Sequence, residues 1–183
     1  MSRILSFQEA IKGPYPKLIM VDNRSGNFLS SRIKAHTGNY NHIACIVSST
    51  TVASQDPQGY RFRPIETYFQ PDYFIKIWIV DMTDEEQQSW NALITAELNK
   101  PMMYAGYDYL GIIGQYLHSV FHWKWLRKIN NPLKKFCSER EATHLNAVFD
   151  FGLPVQISPS EANQQFHNIP RMKVEGYWFD EES

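Results

Sequence analysis

The feature that most restricts this chain is a change of periodicity along its length. From Leu18 to Val80 the apolar residues come in short β-rich runs, and beyond Thr83 they recur at helical spacing. Leu18-Ile19-Met20-Val21 ends at the turn-like pair Asp22-Asn23 and reads as a strand. Asn41–Ser48, Thr50–Ala53, Tyr60–Ile65 and Tyr73–Val80 continue the β character, with Asp56-Pro57-Gln58-Gly59 as a turn. These runs predict an antiparallel meander. Thr83 and Glu86 then carry the spacing of a capping box, and Trp90, Leu93, Ile94 and Leu98 follow at helical intervals until Lys100-Pro101. Tyr109–Leu126 reads as partly helical and dense in aromatics. A last helix is signalled by Ser158-Pro159-Ser160-Glu161, where proline suits the first helical position. Strands in one part and helices in another predict an α+β fold.

Length and composition narrow the function classes. At 183 residues, with 43% hydrophobic and 14% aromatic residues against 20% charged, the chain has the apolar surface of a globular domain. No internal repeat or Gly/Ser linker divides it, so residues 1–183 read as a single domain. A net charge of -1 gives no electrostatic case for nucleic-acid binding. Two cysteines are too few for a disulfide scaffold and suit a reducing compartment. The stretch Met1–Glu9 is too polar for a signal-peptide core, and a cytoplasmic location is the expectation.

Cys137 is the residue with the clearest chemical potential. It lies in Asn131-Pro132-Leu133-Lys134-Lys135-Phe136-Cys137-Ser138-Glu139-Arg140-Glu141, where Ser138 and Glu141 have capping-box spacing and mark a helix start at or next to the thiol. That helix is expected to turn Ala142, Leu145 and Phe149 inward and to end near Gly152. Unpaired N–H groups and the positive end of the helix dipole favour thiolate there. Cys45, inside an apolar strand, reads as an inert core residue.

A thiol nucleophile needs an imidazole to take its proton, and usually a third polar group to orient the ring. His42 is the preferred base because it begins a strand after Thr37-Gly38-Asn39, with His36 in the same loop as the alternative. His118 and His122 share a helical face but have no evident third ligand, so no metal and no cofactor are expected. His144 and His167 read as structural or solvated.

Four segments occur in a telling order: Gly26-Asn27-Phe28-Leu29-Ser30, then Thr37-Gly38-Asn39-Tyr40-Asn41-His42-Ile43-Ala44, Tyr104-Ala105-Gly106-Tyr107-Asp108-Tyr109, and Phe136-Cys137-Ser138-Glu139. From about Gly26 to Ser160 the chain resembles the circularly permuted NlpC/P60 group of papain-like proteins, the YiiX/YebB-like amidases, related more distantly to the lecithin–retinol acyltransferase family. The resemblance implies a papain-like antiparallel sheet or small barrel packed against helices, with the nucleophile at a helix N-terminus. It implies Cys137 as nucleophile, His42 as base and Tyr107, beside Asp108, as an oxyanion donor with the Cys137 N–H. Where similar proteins carry a glutamate on the next strand, this chain reads Thr50-Thr51-Val52-Ala53-Ser54-Gln55. Gln55 or Glu66 is then the third member, or there is none.

The implied function is a thiol hydrolase, an amidase or peptidase acting on an amide or ester of a cell-wall peptide or lipid-type substrate. The alternatives are an acyltransferase and a non-catalytic binding module that has lost its triad, which the missing glutamate favours. Between Asp108 and Glu139 no acid occurs, while Lys124, Arg127, Lys128, Lys134 and Lys135 accompany Phe121, Trp123 and Trp125. This pattern suits either a cationic loop whose aromatics pack on the domain or a peripheral membrane contact through Trp123, Trp125, Arg127 and Lys128.

Overall fold

The computed structural model describes residues 3–24, 39–56, 58–99 and 137–180. Its centre is one six-stranded antiparallel sheet in the order β4-β3-β2-β1-β5-β6. The strands are β1 Lys17–Asn23, β2 His42–Ser48, β3 Thr51–Asp56, β4 Gly59–Pro64, β5 Tyr73–Val80 and β6 Met172–Trp178. The first five lie where the apolar runs predict them. β2, β3 and β4 form the expected meander, whereas β5 crosses to the other side of β1. Every residue from Lys17 to Val21 is buried, as a central strand covered on both faces requires. At the β3–β4 turn the Gln58 N–H donates to the Asp56 carboxylate at 2.8 Å, and Gly59 takes a φ of 108°, a region that disfavours a side chain.

Side-chain alternation divides the core into two layers. Leu18, Met20, Ile43, Cys45, Ala53, Trp78 and Val80 face one side, where three helices cover them. These helices are α2 Asp84–Leu98, α3 Cys137–Phe149 and α4 Pro159–Phe166, which contribute Trp90 and Ile94, Ala142 and Leu145, and Ala162 and Phe166. Ile19, Val21, Ala44, Ile46, Val52, Ile75 and Ile77 face the other side. There the cover is Leu5, Ala10 and Ile11 around the short helix α1 Phe7–Ala10, with Ile65 and Tyr68 from a 3₁₀ turn at Ile65–Thr67. No helix among the described residues is long and apolar enough to cross a membrane.

Two helix starts follow their local chemistry. The Thr83 hydroxyl accepts from the Glu86 N–H at 3.2 Å while the Glu86 carboxylate takes the Thr83 N–H at 2.8 Å. Ser158 and Glu161 make the same pair, with Pro159 in the first turn. The buried Ser138 hydroxyl donates to the Ile157 carbonyl, and the residues that precede Cys137 in the chain lie outside the described residues. α3 does turn Ala142 and Leu145 inward and ends before Asp150 and Gly152, both at positive φ.

Candidate functional site

Cys137 lies on α3 and is only 3% exposed. Burial pushes its thiol up to about 11, opposed by hydrogen bonding from the backbone N–H groups of Ile43, Ser138 and Cys137 itself, and reinforced by the Glu141 charge. This corrects the expectation of a thiolate. These backbone donors replace only part of the water the sulfur has lost, and desolvation wins. Cys45 is fully buried, and its thiol is raised well above the ordinary value by burial and then by Glu141, in keeping with an inert core residue.

His42 opens β2 opposite Val21 of β1, so its side chain shares the face of Ala44 and Ile46, whereas Ile43 and Cys45 point toward α3. The half-buried ring shares a hydrogen bond from Nε2 to the Ser54 hydroxyl at 2.8 Å. The Tyr68 hydroxyl lies 3.4 Å from the same nitrogen, and its ring stacks on the imidazole at 5.6 Å with planes 7° apart. Burial lowers the imidazole to about 4, with partial relief from the Asp56 carboxylate, so the ring is neutral at neutral pH. Asp56 is itself held by Arg61 and Arg63. Tyr68 is pushed up to about 12, first by burial, and the Asp56 and Cys137 charges add to the rise. It therefore remains an O–H donor.

The third-member assignments do not survive the geometry. Alternation along β3 sends Gln55 to the face of Ala53, where it pairs in register with Tyr60 of β4. The imidazole's strand partner is its neighbour Ser54, which is fully buried. Glu66 is exposed on the 3₁₀ turn, and two residues later that turn delivers Tyr68 to the ring. A seryl hydroxyl on the adjacent strand is visible in the sequence once the register is known. Tyr68 carries no local signal. Among the described residues no hydrogen bond joins His42 to Cys137, because the two side chains come from opposite faces of the sheet at the start of β2. They still share one electrostatic neighbourhood, since a Cys137 charge acts on Tyr68. Tyr107, Asp108, His36, His118, His122, Trp123, Trp125, Arg127 and Lys128 lie outside the described residues.

Below the thiol, α3 buries an unusual set of polar residues: Ser138, Glu139, Arg140, Glu141 and His144. Arg140 pairs with Glu97 of α2 and lies over the Tyr60 ring, 5.6 Å from its centroid. His144 Nδ1 is 3.5 Å from a Glu141 carboxylate oxygen, and the Tyr60 hydroxyl donates to the other at 3.5 Å. His144 is thus fully buried in this network rather than solvated. The helix spacing of the sequence does not reveal the network, because its partners come from α2 and β4.

No family model matches the sequence, and no curated protein matches it significantly. Among solved structures the chain is similar to that of the metalloprotein YiiX from Escherichia coli O157:H7, with 14% sequence identity and a TM-score of 0.57. The likeness covers 90% of this chain and 97% of that one. The fold is YiiX-like. At this identity the YiiX likeness speaks to architecture, the α+β arrangement of antiparallel sheet and helices, and leaves the chemistry to the residues themselves.

Proposed function

We propose that this chain is a cysteine hydrolase, an amidase or peptidase of the permuted NlpC/P60 papain-like type, with Cys137 as nucleophile and His42 as proton carrier. The observation that supports this most is the placement of Cys137, on α3 and next to the strand end that bears His42, where hydrogen bonding from the Ile43, Ser138 and Cys137 N–H groups opposes the rise of the thiol. Donors so placed stabilise negative charge on sulfur and on a carbonyl oxygen seated beside it.

The resting thiol and imidazole are both neutral at neutral pH. On this reading substrate must bring the ring and the sulfur together, and the thiol proton moves to His42 as the sulfur–carbon bond forms. The imidazolium then protonates the departing amine or alcohol, and water cleaves the thioester. Ser54 and Tyr68 are positioning residues for the ring. The substrate class is an amide or ester of a cell-wall peptide or a lipid, the latter in keeping with the basic, tryptophan-bearing segment around Trp123, Trp125, Arg127 and Lys128. Acyl transfer to a lipid amine is the neighbouring reaction, distinguished by product that forms only when an acceptor is supplied. YiiX is named a metalloprotein, but among the described residues no group of three or more His, Cys, Asp or Glu is placed to hold a metal, so no step is routed through one.

A second reading, a binding module of the same fold without turnover, is favoured by the raised thiol and by the lack of a His42–Cys137 hydrogen bond. Turnover of a panel of peptide amides and acyl esters by wild type, Cys137→Ala and His42→Ala decides between them. Loss in both variants is expected. Activity that survives Cys137→Ala ends the hydrolase reading, and no turnover of any substrate by wild type supports the module.

A further inference from the structure

Among the described residues two lysines are buried in the sheet, and they are served very differently. Lys17 is fully buried with its Nζ 2.9 and 2.6 Å from the two carboxylate oxygens of Glu175. Lys76 of β5 is 3% exposed, and among the described residues no carboxylate pairs with it. Its Nζ instead lies 2.9 Å from Nε2 of His167, with the rings of Trp78 and Tyr177 at 4.6 and 5.8 Å. We propose that Lys76 and His167 form a second nucleophilic site, in which the Lys76 amine takes acyl groups from activated carbonyl donors such as thioesters.

The surroundings are built to hold this pair. His167 caps the end of α4, and its ring meets Trp78 edge to face at 4.8 Å. Trp78 is fixed in turn by donating from Nε1 to the Asn163 side chain at 3.3 Å. His167 is exposed, so the amine lies one side chain below solvent. Among the described residues, the titratable groups in contact with the Lys76 amine are His167 and the half-buried Tyr177, its register partner on β6. Burial lowers the amine to about 8 despite the two aromatic faces, and burial followed by the Lys76 charge lowers His167 as well. A neutral amine beside a neutral imidazole is the result in mildly alkaline water.

The chemistry balances without a further reagent. The amine nitrogen attacks the thioester carbonyl, and as the C–N bond forms the surplus proton passes to His167 Nε2. The C–S bond then breaks, and the imidazolium returns its proton to the leaving thiolate, so that thioester plus amine become amide plus thiol.

The test is acetylation of the folded full-length chain by phenyl thioacetate across a range of pH, with site-resolved rates from peptide mass spectrometry. The Lys76 rate is expected to rise with a midpoint near the value of about 8. At pH ~7.5 roughly a quarter of such an amine is neutral against about 0.1% of an ordinary lysine; that advantage of about 200-fold is cut by the 3% exposure of the residue, and Lys76 should still be acetylated at least ~10-fold faster than exposed lysines. His167→Ala and His167→Gln should both slow it ~10-fold or more, since glutamine accepts the hydrogen bond but cannot take the proton. Cys137→Ala should leave the rate unchanged, which separates this site from the proposed hydrolase. Acetylation of Lys76 no faster than the other lysines, labelling only after unfolding, or an unchanged rate in His167→Ala would each overturn the proposal.

Discussion

The resting state of Cys137 has a direct chemical readout, its alkylation by iodoacetamide as a function of pH. With the thiol pushed up to about 11, only ~10⁻⁴ of it is ionised at pH ~7, against about 3% of a free cysteine. That is a loss of roughly 300-fold in thiolate. A thiolate of higher basicity is the better nucleophile, which returns about a factor of 10, so alkylation should be ~30-fold slower than for a free thiol. The 3% exposure of the residue slows it further. The rate, read by peptide mass spectrometry, should still be climbing at pH ~9 with no plateau in the acid range. His42→Ala should change it by less than about twofold, because the ring is neutral above about 4 and bonds Ser54 rather than the sulfur. In urea the same cysteine should react like any other. Rapid alkylation with a plateau below pH ~7, abolished in His42→Ala, would refute the argument that burial outweighs the three N–H donors. It would establish a thiolate–imidazolium pair in its place.

Two other substitutions probe the scaffold of the site. Glu97→Ala leaves Arg140 buried at 2% exposure without that carboxylate, and urea unfolding should show a loss of about 3–5 kcal/mol, most of which Glu97→Met with Arg140→Met restores; equal stability of the single variant and wild type would contradict the pairing. Gly176→Ala on β6 would bring a Cβ within 2.6 Å of the Arg3 carbonyl oxygen and 2.7 Å of Leu5 Cγ, so the N-terminal segment must shift, at a cost of roughly 1–3 kcal/mol in thermal or urea unfolding; a neutral substitution would show that the segment does not pack there.

The fold was legible wherever its determinants are local. Strand β5 matches its apolar run from Tyr73 to Val80, and the boxes at Thr83/Glu86 and Ser158/Glu161 start their helices because a cap needs only four consecutive residues. β6 went unread: Met172-Lys173-Val174-Glu175-Gly176-Tyr177-Trp178 has neither a continuous apolar run nor clean alternation, and it is a strand because β5 offers it an edge. α1 was missed although Ser6 and Glu9 form a capping box, since four residues show no periodicity. Ser138 donates its hydroxyl to the Ile157 carbonyl, a partner 19 residues away that no local spacing signals.

The candidate site divides along the same line. Order along the chain singles out a thiol beside a capping-box spacing and a histidine at a strand start, because both are properties of a few neighbouring residues; the structure places that thiol on α3 and that histidine at the start of β2. The imidazole's partners were decided by register and by a 3₁₀ turn, which bring Ser54 and Tyr68 to the ring and leave Gln55 on the opposite face and Glu66 in solvent. The ionisation of Cys137 and Lys76 was likewise decided by packing. Desolvation is set by every atom that crowds a group, and here those atoms come from α4, β1, β2 and β6, which only the folded chain brings together.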